Sequence, residues 1–407
     1  MAVSVYEALE RIKLHTQKIG FEIVPLENSL KRICAQKIIA THSLPRFNNS
    51  AMDGYGVKLD DAMQTVQVIS TVLAGDKHEP QITQGQCVKI MTGARVPSSV
   101  EAIIPQEDVK TVNNTSITLP NTIQAQSHVR FIGEDIQNGE IVANIGDEIN
   151  FATITSLASQ GITHVKIFKR PKVVVFASGE ELKLHYENVK EYQIYNSNTP
   201  TLIARTQELG CDTTFIGGAK DSLESIQEYI NNALDADLII TSGGVSVGEA
   251  DFTKEAFGNM GMEILFDGII IKPGKPTVFG KINSTYVLNL PGNPLASALI
   301  FELFGKIIIQ HLSGSKDLHH NTIHAKLNDN FNNKKGRLTL IPGTYDGEYF
   351  TPSQKRSPGM VNILNHCNSL IVLNEQVAHL EKNAAVKVLP VNWKFLTSIE
   401  KGFETLC

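Results

Sequence analysis

The segment "ADLIITSGGVSVGEADFTKEAF", Ala236 to Phe257, runs from an apolar stretch through a glycine-rich loop into a helix-like stretch. The apolar part is short and has no polar alternation, so it reads as a strand buried on both faces. Glycines after a strand let an anion approach the backbone. Yet the loop ends in Glu249 and Asp251, which repel an anion. Whatever binds there must tolerate both.

Outward from this segment, residues 170–312 alternate between the two periods. "KVVVFAS", "TTFIGG", "DLIITS" and "TYVLNL" read as buried strands. "TPTLIARTQELG", "SLESIQEYINNAL", "DFTKEAF" and "LASALIFELFGKIIIQHL" read as helices. Strands alternating with helices predict a mostly parallel sheet covered on both faces, with right-handed crossovers. Ligands of such sheets sit beyond the carboxyl ends of the strands. Four loops follow strand-like segments here: "SGEE" (178–181), "SGGVSVGEAD" (242–251), "KPGKP" (272–276) and "LPGNP" (290–294). Several lead into helices, whose N-termini favour anions.

"GGVSVG" resembles the start of a P-loop, but Glu249 stands where the lysine is required, so a Walker A reading fails. Ser242, Gly243, Gly244, Ser246 and Gly248 remain a backbone cradle. Two functional readings of Glu249 and Asp251 stand: they hold Mg²⁺ against a phosphate or oxyanion, or they accept hydrogen bonds from an N–H-rich ring. Against both stands simple capping of the helix "FTKEAF". "KPGKP" places Lys272 and Lys275 on one stiff turn, where preorganised cations suit an oxyanion; the plain alternative is two solvated lysines. "LPGNP" offers only shape and the Asn293 amide.

Before this unit, residues 41–139 carry short β-type runs ("TVQVISTVLAGD", "QCVKIM", "EAIIPQEDV", "TSITLP") separated by Gly, Pro and Asn. Residues 4–20 read as an amphipathic helix with a Ser4/Glu7 capping box and Gly20 as its stop. "FATITSLASQG" and "THVKIF" read as a helix and a strand that pack back on that first helix, making the β unit an insertion. After residue 320, "NTIHAKL", "GRLTLIPG", "NSLIVLN" and "AAVKVLPV" predict a small barrel or sandwich.

Composition bounds the rest. A chain of 407 residues has room for two to four domains. Thirty-seven basic against 42 acidic residues, a net charge of −5, give no support to a nucleic-acid or anionic-membrane surface. The start lacks a basic region followed by an apolar core, so no signal peptide is expected and the location reads as cytoplasmic. Five scattered cysteines without a CxxC pair read as reduced, small buried hydrophobes. His319, His320 and His324 read as part of a solvated linker, not a metal site.

Taken in order, "FNNSAMDGYGV", "MTGARVP", "GEDI", "SGEEL", "TSGGVSVGEADFTKEAF", "KPGKPTVFG" and "LPGNPLASA" resemble the molybdopterin molybdenumtransferases, the MoeA and gephyrin E-domain family. The resemblance covers about residues 1–312. It implies an α/β and β multidomain fold: an elongated helix–strand domain (1–40 plus 140–168), an inserted β-rich domain (41–139), an α/β molybdopterin-binding, MogA-like domain (169–313) and a C-terminal β-barrel (314–407). It implies insertion of molybdenum from molybdate into adenylylated molybdopterin, with Mg²⁺, releasing AMP. A homodimer with a composite site is implied too, along with a separate adenylyltransferase upstream and molybdoenzymes or their chaperones downstream. Residue by residue it points to Asp53, Asp135, Glu181, Asp221 and Asp251 as site acids, Glu181 and Asp251 as Mg²⁺ ligands, and Thr92, Lys272, Pro291 and Pro294 as site positions. Arg337 and Ser357 are matched to polar site residues of the last domain. The alternatives are a molybdopterin adenylyltransferase and a non-catalytic gephyrin-like scaffold; the N-terminal β insertion and "SAMDGY" favour the insertion enzyme.

Overall fold

Val173, Val175, Leu238, Ile240, Leu288 and Leu290 bury themselves on one face of a sheet, and Phe176, Ile239 and Val287 on the other. Strands that alternate between two cores must be apolar throughout, which is why they show no polar period. In the computed structural model, which describes residues 2–113, 115–243 and 252–393, these strands form a six-stranded sheet. Its order is Asp212–Ala219, Lys172–Ser178, Leu238–Ser242, Thr285–Leu290, Val278–Ile282 and Glu263–Asp267. The first four run parallel. The last two add antiparallel, a pair the apolar pattern alone did not predict. Chain order reverses between Lys172–Ser178 and Leu238–Ser242, which opens a crevice at their carboxyl ends.

Helices Asn198–Glu208 and Pro294–Ile300 cover one face, and Leu223–Ala233 and Phe252–Asn259 the other. The predicted helix 295–312 is interrupted by a π-helical turn, Phe301–Gly305. Gly305 permits it: a Cβ there would lie 2.4 Å from the Phe301 ring. The run Pro294–Leu312 is apolar and long enough to cross a membrane, but 78% of its apolar window is buried inside the protein, as suits a core helix.

The first helix is Val5–His15, capped by Ser4, whose Oγ accepts from the Glu7 N–H at 3.1 Å. It ends at extended Thr16, four residues before Gly20. Val5, Ala8 and Ile12 join the core of the α/β sheet, alongside Leu265 and Ile309. The strand expected from "THVKIF", His164–Phe168, pairs with Phe21–Pro25, the strand that follows this helix.

The C-terminal strands Ile323–Leu327, Leu338–Tyr345, Tyr349–Pro352, Ser369–Leu373 and Ala385–Pro390 close into a five-stranded barrel when Ser369–Leu373 pairs with Leu338–Tyr345. Gly343 lets the strand Tyr349–Pro352 approach closely, since a Cβ there would sit 2.3 Å from the Thr351 carbonyl oxygen. The linker into the barrel is not all solvated: His320 is half-buried, with Nε2 2.8 Å from the Leu303 carbonyl oxygen.

The chain divides into two compact units. One holds residues 1–35, 145–149 and 165–407; the other holds 36–144 and 150–164. The second is built on a six-stranded sheet ordered Ala102–Pro105, Gly54–Val57, Gln86–Ile90, Thr65–Val72, Ser116–Thr118 and Lys110–Asn113. Cys87, Cys211 and Cys367 are free thiols, and Cys34 is buried. Burial pushes the Cys87 and Cys211 thiols up to about 12, so they stay protonated and inert.

Candidate active site

Three strand ends of the α/β sheet converge on one cavity of about 730 Å³. Strand Lys172–Ser178 delivers Ser178 and Gly179, and a turn then exposes Glu181 to the cavity. The Glu180 N–H points at the Asp221 carboxylate at 3.4 Å, which ties this turn to the start of helix Leu223–Ala233. Glu181 and Asp221 both line the cavity.

Strand Leu238–Ser242 ends in buried Ser242, whose Oγ donates to the Pro291 carbonyl at 3.2 Å. Gly243 follows at φ +102°, and a Cβ there would come within 2.7 Å of the Ser178 carbonyl oxygen. Only glycine lets the two strand ends approach this closely. The third strand ends in Pro291–Pro294, all four residues lining the cavity. Asn198, at the start of helix Asn198–Glu208, donates from Nδ2 to Ser242 Oγ at 2.6 Å and to the Gly292 carbonyl at 2.7 Å. One amide thus locks two loops and its own helix together. The barrel side contributes Gly359 and Val361, and the Leu295 N–H donates to the Pro358 carbonyl at 3.0 Å.

The cavity gathers Glu181, Asp221, Ser242, Gly243, Pro291, Asn293 and Pro294 from the residues singled out in the sequence. Gly244, Ser246, Gly248, Glu249 and Asp251 lie outside the described residues. Lys272 and Lys275 are exposed, and their turn belongs to a different sheet than expected. Ile271 and Lys272 pair with Leu338 and Thr339 of the barrel, so "KPGKP" is not a carboxyl-end loop of the α/β sheet. The reason is packing: Ile271 is fully buried, and Gly274 at φ +109° lies where a Cβ would strike Ile300 at 2.2 Å. Pro276 of that turn does reach the cavity wall. Arg337 and Ser357 are exposed and not among the described lining residues, although Ser357 sits two residues before Gly359.

In the other unit, Asp53 Oδ1 accepts from the Thr92 N–H and from the Thr92 hydroxyl, each at 2.7 Å. The backbone bond first, then the hydroxyl, hold the Asp53 carboxyl below the usual carboxylate range. Gly54 is forced by the next strand, since a Cβ would lie 2.2 Å from the Ile104 carbonyl oxygen. Asp135 is exposed, with its N–H donating to the Leu44 carbonyl at 3.0 Å. Because the folded value of Asp53 is depressed, the tie is intact above the ordinary aspartate range and is lost as pH falls through the folded value. Thr92→Val removes the hydroxyl and keeps the N–H. It should raise the Asp53 value part of the way back, as read by NMR titration of the carboxyl carbon; an unchanged titration would show that the hydroxyl contributes nothing.

A mixed α/β sheet with a glycine-and-carboxylate crevice at its switch point, in a chain that also carries a closed barrel and a separate β unit, defines a multidomain class. Family models agree with each part. The MoeA N-terminal region (domain I and II) matches residues 3–161, the probable molybdopterin binding domain 174–311, and the MoeA C-terminal region (domain IV) 324–391. A molybdopterin molybdenumtransferase of Haemophilus influenzae is 34% identical over 394 residues, covering 94% of this chain and 96% of that one. Another, of Staphylococcus epidermidis, is 32% identical over 383 residues, covering 91% of each. Two molybdopterin biosynthesis MoeA structures from Pyrococcus horikoshii superpose with TM-scores of 0.85 and 0.82, at 25% and 29% identity; they cover 96% and 97% of this chain and all of their own. The chain belongs to the molybdopterin molybdenumtransferase family. Matches to both the N-terminal and the C-terminal MoeA regions favour that family over the adenylyltransferase alternative.

Proposed function

We propose that the protein inserts molybdenum from molybdate into adenylylated molybdopterin, releasing AMP, as a step of molybdenum cofactor biosynthesis. The observation that carries this reading is the cavity itself: backbone turns for a phosphate link and two carboxylates, Glu181 and Asp221, for cations or ring N–H groups. Its volume of about 730 Å³ suits a ligand larger than a simple anion.

Mg²⁺ fits this donor set, because it favours hard oxygen ligands and is commonly held by one or two carboxylates together with substrate phosphates. Among the described residues no group of three or more His, Cys, Asp or Glu side chains is arranged to hold a metal ion; the cation would share the substrate's phosphate oxygens. Glu181 and Asp251 would hold the cation, with Asp221 a further acid on the cavity wall. When bound, it neutralises the phosphate charge against which these carboxylates would otherwise repel. Asn198 and Gly243 fix the cavity wall against which the substrate is oriented.

The finer organisation belongs to the same proposal. The four regions (1–40 plus 140–168, 41–139, 169–313 and 314–407) would assemble as a homodimer. In it Asp53, Thr92 and Asp135 from one subunit would complete the cavity of the other. Lys272, Lys275, Arg337 and Ser357 remain proposed substrate contacts at its margin.

The test is a direct assay. Purified protein with adenylylated molybdopterin should release AMP only when molybdate and Mg²⁺ are both present, and EDTA should abolish the release. AMP release undiminished in EDTA overturns the metal role. Consumption of ATP with unmodified molybdopterin would establish the adenylyltransferase alternative instead.

A further inference from the structure

Between strand Lys172–Ser178 and helix Asn198–Glu208 the chain makes an excursion, residues 179–197, with its own two-stranded ladder. Leu182 and Lys183 pair in parallel with Ile194 and Tyr195. The Ile194 N–H donates to the Glu181 carbonyl at 2.9 Å, and the Asn196 N–H to the Lys183 carbonyl at 2.8 Å. Asn196 anchors the returning strand: it is 5% exposed, accepts from the Thr199 N–H at 3.1 Å and donates to the Thr199 hydroxyl at 2.8 Å. The backbone at Tyr195 is therefore held on both sides.

Tyr195 nevertheless keeps 50% of its surface exposed, and it lines the cavity. Among the described lining residues it is the one aromatic ring. Neighbouring Tyr186 and Tyr192 are still more exposed but do not line the cavity, and Lys190 already sits over the Tyr192 ring. An aromatic face left open on the wall of a polar cavity, on a fixed backbone, is an arrangement that stacks flat rings.

We propose that Tyr195 is the stacking platform for a flat aminoheterocycle of the substrate. The inference rests on the proposed function, whose substrate carries two such rings, a pterin and an adenine. Both share the flat ring that Tyr195 would stack, and the experiment separates them.

Binding of three probes, AMP, neopterin and ribose 5-phosphate, is measured by calorimetry on the full chain and on Tyr195→Ala and Tyr195→Phe. Loss of a stacking ring should weaken the ring-bearing probe about five- to 150-fold, as aromatic–base stacking generally does. Tyr195→Phe should bind within about twofold of the unsubstituted protein, and ribose 5-phosphate, which has no ring to stack, should be unaffected by either change. A loss confined to AMP assigns the adenine; one confined to neopterin assigns the pterin. If Tyr195→Ala binds both ring probes as well as the unsubstituted protein, or loses ribose 5-phosphate equally, the platform is wrong while AMP release by the unsubstituted protein leaves the functional reading standing. If the unsubstituted protein binds neither ring probe and releases no AMP, both fail together.

Discussion

Arg205→Ala is expected to lower the unfolding free energy by about 3–5 kcal/mol, the range for breaking one side of a buried ion pair. Its partner is Glu302, only 5% exposed, on the π-helical turn of the long core helix. Arg205 Nε donates to Glu302 Oε1 at 2.5 Å and Nη2 to Oε2 at 3.0 Å, a two-point clamp. The same guanidinium donates to Glu208 at 2.6 Å and to the Val391 carbonyl at 3.1 Å. Its charge is held firmly, since Glu302 offsets the burial that would otherwise disfavour it. With Arg205 gone, a largely buried carboxylate stays behind without its two-point clamp, and that cost outweighs the lost attraction. The double change Arg205→Met with Glu302→Leu removes both charges and should recover most of the loss, because well-packed apolar pairs match buried ion pairs in stability. Urea denaturation at pH 7 reads both. A loss below about 1 kcal/mol for Arg205→Ala would place the pair among surface bridges of little worth.

The α/β layer was legible because its physics is local. Strands buried on both faces are apolar throughout, and "DLIITS" and "TYVLNL" announce themselves as such. The barrel was legible only as texture: short runs with turns between them do not say that Ser369–Leu373 will close on Leu338–Tyr345. Glu263–Asp267 and Val278–Ile282 went unread as sheet members, since a strand's direction is set by its neighbours and not by its own residues. The lysine turn was placed in the wrong sheet for a related reason. "KPGKP" carries the right charges after a strand-like run, but the pairing of Ile271 with Leu338 assigns that run to the barrel.

The site divides in the same way. Glycines such as Gly243 were readable because a left-handed turn between two strand ends leaves no other residue possible. The loop of Glu181 was readable because it follows a strand in an α/β alternation, whereas Asp221 was reached only through the family resemblance; both line the cavity. Asn198 and Tyr195 were not. An asparagine that joins three segments, and a tyrosine that is open on a cavity wall, look in sequence like any helix-start amide or surface ring. Their meaning depends on contacts between residues about 44 to 94 positions apart, the separations of Asn198 from Ser242 and Gly292. Gly359 and Val361, contributed from the barrel, escaped for the same reason.

Asp53→Asn and Asp221→Asn should each leave a folded protein that releases AMP at no more than about 1% of the normal rate, the scale of losing one charged group in a catalytic site. An asparagine side chain keeps the shape and one acceptor oxygen, so in Asp53→Asn the amide carbonyl can still receive the Thr92 N–H, and the fold is preserved. Asp53 lies in the unit of residues 36–144 and 150–164, and Asp221 in the α/β unit. In the proposed homodimer the two act in one site contributed by different subunits. Mixing the two inactive proteins and allowing subunit exchange then produces heterodimers with one site carrying both native aspartates and one lacking both. Two-fold symmetry fixes the recovered activity at about half of normal per heterodimer, and never more. The recovery distinguishes this arrangement from any in which each subunit works alone, because two damaged self-contained sites cannot repair each other by exchange. Native mass spectrometry reports whether heterodimers have formed, and AMP release reports whether they work. If heterodimers form and no activity returns, Asp53 and Asp221 serve the same subunit, and the composite site is wrong.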